Sequence, residues 1–566
     1  MGLLRTPMPP DGVCGFMRVA IYAMLGRIGG SGAARPAAMN YGFIIDNRKC
    51  IGCHACTVAC KAEHDIPLGV NRTWVKYIEK GVFPDTRRFF TVLRCNHCAD
   101  APCVTICPVS ALFTREDGIV DFDGERCIGC KACMQACPYD ALHIDPASGT
   151  AAKCNFCAHR VEVGLEPPCA VVCPERAILV GDLDDPSTEI ARTLQLEKVQ
   201  VRKPEKGTEP KVFYIGGDAA ALTPAATAVP SAYLWSQARE PGPAPRGPAR
   251  DRAEPAEPPR GLLADDVWDR VRAVMGAKAG SARRVYDAGQ SHEASWGWKV
   301  SAYMWTKSIA AGALMLAPWA APWQPRGAPI GLPAILALIA LLFLALTGAL
   351  LVADLKRPDR FLWVLTRPQW DSWLTRGSYI LLAFGLLGGA LAWAELAGRS
   401  RLAAWLAWPA LAAAIAAATY TAFLFWQSKG RDLWQSSLLP LHLLVQALVG
   451  GLSVALLCIA LLGGGSAAAP VRSLIGLLLL NAALIGAELF AIHPTEDAAA
   501  AARWARRGWR RALLFGGVLL VGHALPLLLL GFGGGSAASV AALLALLGLA
   551  AYEHLYVRAG QSVALS

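Results

Sequence analysis

Cys50-Ile-Gly-Cys53-His-Ala-Cys56-Thr-Val-Ala-Cys60 decides how this chain is read. Its spacing, C-x2-C-x2-C-x3-C, is short enough to wrap one peptide loop around one metal cluster. The arrangement returns three times. Cys95, Cys98, Cys103 and Cys107 are spaced C-x2-C-x4-C-x3-C, and Cys127, Cys130, Cys133 and Cys137 repeat the first spacing. Cys154, Cys157, Cys169 and Cys173 carry eleven residues between the second and third members. Three of the four groups end in Cys-Pro, and together they hold 16 of the 18 cysteines. Runs of this kind hold cubane iron–sulfur clusters, so the stretch implies four [4Fe-4S] clusters with all sixteen thiols as iron ligands.

Other uses of dense cysteine fit less well. A disulfide framework has no need of triple-cysteine loops repeated four times. Structural zinc sites use C-x2-C pairs but not three thiols in one loop. Cys50-Ile-Gly-Cys53-His54 also matches covalent haem attachment, yet Cys56 and Cys60 follow at once, and the third group has Lys131 where the histidine would stand. Cys14 lies outside the pattern, and Cys458 sits in an apolar run as a small buried hydrophobe.

Outward from the cysteines, the 566 residues divide into four parts. Residues 1–40 form an N-terminal extension, either disordered or preceding the true start, because ferredoxin-like sequence begins directly after Met39. Their one apolar stretch, 13–25, is broken by Arg18, and an export signal is the minor reading. Residues 41–190 are expected to form an α+β double ferredoxin-like domain, with strands at 41–46, 111–113, 118–122, 141–144 and 177–180 around the cysteine loops. Too little apolar sequence is present there to fold without metal. Residues 191–294 comprise a docking segment (211–215), a Pro/Ala-rich linker (239–260) and an amphipathic helix (262–275).

Residues 295–566 contain eight apolar runs long enough to cross a bilayer, which predicts an all-α eight-helix transmembrane bundle in lipid. The net charge of +11 would otherwise suggest nucleic acid. No aromatic-interleaved basic patch accompanies it, so no nucleic-acid partner is expected. The basic residues instead crowd alternate loops: Lys356, Arg357, Arg360 and Arg367; Lys429 and Arg431; Arg503, Arg506, Arg507, Arg510 and Arg511. The opposite loops carry only Arg326, Arg399, Arg401 and Arg472. The positive-inside rule then puts the even-numbered loops, the C-terminus and the cysteine domain on the cytoplasmic side of the inner membrane.

Ionisable side chains inside spans are expensive and point to function. Lys307, Tyr420, His442 and Glu488 fall in the half facing the cysteines, as do His493, Glu553 and His554, while Asn481 and His523 lie deeper. A lipid-soluble quinone needs donors to its carbonyl oxygens and groups that exchange protons. Lys307, Tyr420, His442 and Glu488 are therefore the candidate quinone contacts, with interhelical hydrogen bonding or snorkelling as the competing use. Haem ligation would need two facing mid-membrane histidines, and only His523 is deep enough.

The cysteine region, with Arg94-Cys-Asn-His-Cys98, resembles the iron–sulfur subunit of molybdopterin oxidoreductases of the dimethyl sulfoxide and polysulfide reductase type. The membrane half resembles their NrfD-type subunit, through Trp296-Gly-Trp-Lys299, Trp305-Thr-Lys-Ser-Ile-Ala-Ala-Gly312, Asp354-Leu-Lys-Arg-Pro358, Arg360-Phe361 and the final nine residues. Two normally separate subunits are joined. The resemblance implies cross-ligation: Cys50, Cys53 and Cys56 with Cys173; Cys154, Cys157 and Cys169 with Cys60; Cys95, Cys98 and Cys103 with Cys137; Cys127, Cys130 and Cys133 with Cys107. It also implies that Tyr420 matches the family's quinone-site tyrosine.

The expected role is an electron-transfer and membrane-anchor subunit, passing electrons between a molybdopterin-binding catalytic subunit and the membrane pool of menaquinone or ubiquinone. No substrate-converting site is visible apart from a quinone site. A proton-translocating module using Glu488, His523 and Glu553, and a periplasm-facing complex, are the rival readings.

Overall fold

The computed structural model describes residues 39–82, 85–223, 283–287, 295–324, 329–532 and 535–566. The expected linker and the helix at 262–275 lie outside these residues, as does the expected extension up to residue 38.

In the first half, the strands are β1 (Tyr41–Asp46), β2 (Thr73–Val82), β3 (Asp85–Arg94), β4 (Leu112–Thr114), β5 (Val120–Phe122), β6 (Leu142–Ile144), β7 (Ala151–Lys153), β8 (Ile178–Asp182), β9 (Val199–Gln200), β10 (Val212–Ile215) and β11 (Arg283–Asp287). β1 is central. It pairs antiparallel with β8 and parallel with β10, which in turn pairs with β9. Its alternation explains the position: Phe43 and Ile45 pack with Cys56, Phe156 and Cys169, whereas Ile44 points the other way onto Ile190 and Ile215. The expected docking segment therefore enters the sheet as a strand. The longest strands, β2 and β3, form a hairpin in the register Thr73↔Arg94, with β11 added on the free side of β2. Short hairpins β4–β5 and β6–β7 follow the Cys-Pro of the second and third cysteine groups.

The second half is helical: α1 (Trp298–Leu316), α2 (Leu332–Asp354), α3 (Trp373–Leu396), α4 (Ser400–Gln427), α5 (Leu439–Leu461), α6 (Ala468–Phe490), α7 (Trp509–Phe532) and α8 (Gly535–Gly560). Helices α2 to α8, seven in all among the described residues, are long and apolar enough to cross a membrane. The first expected span, α1, is more polar, carrying Lys299 and Lys307. It can be, because it packs on α2, α4, α5 and α8 and buries most of its length in protein. Helices α1–α4 and α5–α8 form two four-helix groups joined through α1 and α5. That joint is tight: a Cβ on Gly312 would meet the Ala447 carbonyl, and one on Gly451 would meet Gly312 backbone. Exposed tryptophans gather near both ends, Trp393, Trp405 and Trp408 at one and Trp298, Trp370 and Trp509 at the other, as interfacial belts do.

One apolar core runs through both halves, uniting Ile106, Cys107 and Cys133 with Trp296, Tyr303, Phe425 and Tyr552. The arginine-rich loops make the junction. Backbone N–H groups of Lys356 and Arg357 donate to Gly129 and Ile128 carbonyls at 3.2 Å each. Arg360 Nη1 donates to the Gly124 and Cys127 carbonyls at 2.8 and 3.0 Å. Ser372 Oγ donates to the Ile106 carbonyl at 2.7 Å, and Lys131 pairs with Asp354 at 2.8 Å.

Candidate cluster sites and a buried polar network

In all four cysteine groups the residue before the second cysteine is left-handed: Gly52 (φ 72°), His97 (φ 44°), Gly129 (φ 68°) and Phe156 (φ 62°). This turn bends the loop so that successive thiols face one centre. It also aims backbone N–H groups at sulfur: His97 at Cys95 Sγ (3.5 Å) and Gly129 at Cys127 Sγ (3.4 Å). After the Cys-Pro steps, Ala111 and Ala177 N–H donate to Cys107 and Cys173 Sγ, at 3.2 Å each. At Gly129 a side chain is excluded twice over, by positive φ and by Lys356 Cβ and the Gly149 carbonyl, 2.6 and 2.8 Å from where a Cβ would sit.

The sixteen thiols gather into four sets. Cys50, Cys53, Cys56 and Cys173 line the first space, and Cys60, Cys154, Cys157 and Cys169 the second. In the third set, Cys95, Cys98, Cys103 and Cys137 crowd together, and burial followed by this proximity raises the Cys98 and Cys103 pKa values. Cys107, Cys127, Cys130 and Cys133 line the fourth space. Each set draws its fourth thiol from another sequence group. Burial also pushes Cys60 and Cys130 up to about 12. Such thiols give up their protons to metal rather than to water, which suits clusters.

The sets form a series. Arg94 stands among the first and second, Cys95 of the third bears on Cys154 of the second, and Cys103 of the third bears on Cys133 of the fourth. Cys53, at one end, is exposed. At the other end the Trp296 indole donates to the Cys130 carbonyl at 3.1 Å and stacks on Trp434, which stacks on Phe425.

The four expected quinone contacts fall into two neighbouring clusters. Lys307 Nζ donates to Thr421 Oγ1 at 2.8 Å and the Ala418 carbonyl at 3.0 Å, and lies 5.0 Å from the Tyr420 ring centroid. His442 Nδ1 is 2.8 Å from Glu488 Oε2, which accepts a 2.6 Å bond from Tyr552. His442 Nε2 lies 3.1 Å from Asn481 Oδ1, and Asn481 Nδ2 lies 2.9 Å from His523 Nε2. His523 Nδ1 is 2.8 Å from the Val518 carbonyl, five residues back, within the π-helical stretch Leu513–Ala524. Glu553 joins the clusters electrostatically, bearing on Lys307, His442 and Glu488. Glu488 Oε1 and Glu553 Oε1 have no hydrogen-bond partner among the described residues. Tyr552 and Thr421 were not among the expected site residues. Asn481 and Glu488, seven residues apart, share a helix face, and that spacing was the available signal.

A chain of cysteine centres seated on a multi-span helical bundle defines a membrane-anchored electron carrier. Two models described as "4Fe-4S dicluster domain" match residues 49–112 and 86–183, and "Polysulphide reductase, NrfD" matches residues 287–564. A tetrathionate reductase subunit of Salmonella typhimurium is 46% identical over 188 residues, 32% of this chain and 75% of that protein. A polysulfide reductase chain of Wolinella succinogenes is 41% identical over 183 residues, 31% of this protein and 95% of its own length. The arsenate respiratory reductase iron-sulfur subunit ArrB of Shewanella is 34% identical over 227 residues, 31% of this protein and 96% of its own length. The protein belongs to this family of iron–sulfur electron-transfer subunits, fused to an NrfD-type membrane anchor.

Proposed function

We propose that the protein holds four [4Fe-4S] clusters, one per thiol set, and carries electrons between a molybdopterin-binding catalytic subunit and membrane menaquinone or ubiquinone. The carrying observation is the ordered series, exposed at Cys53 and seated on the bundle at Cys130. Around Cys53 the exposed surface mixes apolar side chains, Ile51, Val58, Val171 and Val172, with the charged Lys49, Glu175 and Arg176, a mixture that suits docking of another subunit. The first working domain runs over 41–223 rather than ending at residue 190, because β9 and β10 complete the sheet of β1, and the second is 295–566. Lys307, Tyr420, His442 and Glu488 take the quinone role, and the unpartnered carboxylate oxygens supply sites for its protons. When bound, the clusters supply one-electron transfer steps; the chain's own residues orient the thiols and exclude water. Purified protein is expected to hold about sixteen irons per chain, and about four would overturn the assignment.

The basic loops that touch the cysteine domain support a cytoplasmic position for it. A reporter fused after residue 190 tests this, since alkaline phosphatase activity there would reverse the topology.

A second reading has its own support. The series Tyr552–Glu488–His442–Asn481–His523 is a continuous hydrogen-bonded chain inside the bundle, suited to moving protons as quinol turns over. Proton release on the far side of liposomes during turnover would favour translocation, and unchanged external pH would leave quinone chemistry alone.

A further inference from the structure

Arg94 ends β3, one residue before Cys95, and its side chain is shut off from solvent. Its Nη1 donates to Cys169 Sγ at 3.2 Å, and the guanidinium lies 4.3 Å from the centroid of the Phe43 ring. Nε and Nη2 have no hydrogen-bond partner among the described residues. The charges bearing on it are those of Cys169, Cys154 and Cys56 rather than of a carboxylate. It bears in return on Cys56 of the first set and on Cys60, Cys154 and Cys157 of the second. In the other two sets, Cys103 sees Lys153 and Cys130 sees Lys131. A buried cation without an anion beside it is strongly unfavourable. Cubane clusters with four thiolates are anionic, and they become more so on reduction.

We infer that Arg94 is a positioning residue for electron flow: a fixed positive charge shared by the first two clusters that holds both at higher potential than a neutral side chain would. The inference rests on the four-cluster reading above. Net charge and hydrogen bonds to sulfur set cluster potentials, and Arg94 supplies both. Because the site is dry, an added electron is felt at Arg94 with little screening.

The test uses the full chain carrying Arg94→Gln or Arg94→Lys, with iron analysis and potentiometric titration followed by electron paramagnetic resonance. Arg94→Gln is expected to lower two of the four midpoint potentials and leave two in place, whereas Arg94→Lys restores most of the shift. Full iron with no potential moved, or with all four moved equally, would overturn the inference. Should the Gln variant fail to load iron, the Lys variant decides. Retained charge predicts potentials close to the parent's, and a selective drop there would assign the effect to hydrogen-bond geometry instead. Fewer irons in the unmodified chain would sink the four-cluster reading itself, which is a separable failure.

Discussion

Arg94 in the cysteine domain faces thiols, with two of its nitrogens left without partners among the described residues, whereas Glu488 in the bundle faces His442 and Tyr552 at 2.8 and 2.6 Å. Both groups are buried, and their surroundings differ in what completes them. The first half leaves its charges for an inorganic partner to answer. The second answers most of its own across α5, α6 and α8. Folding of the first half is accordingly tied to iron, and folding of the second to helix packing.

The largest expected effect tests that contrast directly. Chelation of iron under oxidising conditions, or Cys169→Ala, is expected to expose 41–223 to protease while the helical circular dichroism of the bundle persists. The apolar group around Phe43, Val75 and Tyr214 includes Cys56 and Cys169 themselves, so losing the clusters opens the core. An apo domain that resists protease would break the comparison.

Next in size is Glu488→Gln, which keeps the shape and removes the acid. Quinol turnover is expected to fall tenfold or more, while the bundle loses only about 1 kcal/mol, since interhelical hydrogen bonds in membranes are individually modest. Turnover and detergent melting, measured on the same preparation, separate the two. Unchanged turnover would reduce the network to scaffold.

Acid sensitivity should belong to the first half. His143, on β6, is buried, and burial, followed by the nearby Arg72 charge, lowers its pKa to about 4. The unfolded histidine, near 6.5, therefore takes up a proton before the folded one does. Stability from this group is complete above about pH 6.5 and lost as pH falls towards 4, by roughly 3 kcal/mol in all. His143→Asn should flatten denaturation midpoints across that window; an unaltered slope would discard the account.

How much was legible in the sequence follows the same division. The candidate cluster thiols lie within short loops, so their grouping is readable from spacing, and β1 is readable because its alternation is local. The hairpin β2–β3 was missed because Lys76, Lys80 and Glu79 interrupt its apolar pattern, although all three are buried. In the bundle, Glu488 and His442 are 46 residues apart and Tyr552 lies 64 beyond Glu488, so each looked like a separate polar residue in an apolar run. Helix approaches as close as that of Gly522 on α7 to Gly548 on α8 are likewise announced by no periodicity. Arg94 was seen as part of a motif, but its burial against Cys169 required the fold.

The smallest expected effect lies on the seam. Lys429 and Asp100 join the two halves at 3.2 Å, and both side chains are more than one-third exposed. Water and salt screen such a pair, and ordering two long side chains offsets most of the attraction, so it contributes about 0–1 kcal/mol. Asp100→Asn should leave turnover unchanged and shift melting by no more than that, with the difference vanishing at high salt. The buried Lys131–Asp354 pair, at 8% and 17% side-chain exposure, is the proper contrast. Removing one partner there strands a charge against the loop of the fourth thiol set, so Asp354→Asn should cost several-fold more. Equal costs at the two positions would mean that the seam is wet throughout, and electron transfer across it would then depend on contacts other than the dry one at Gly129 and Lys356.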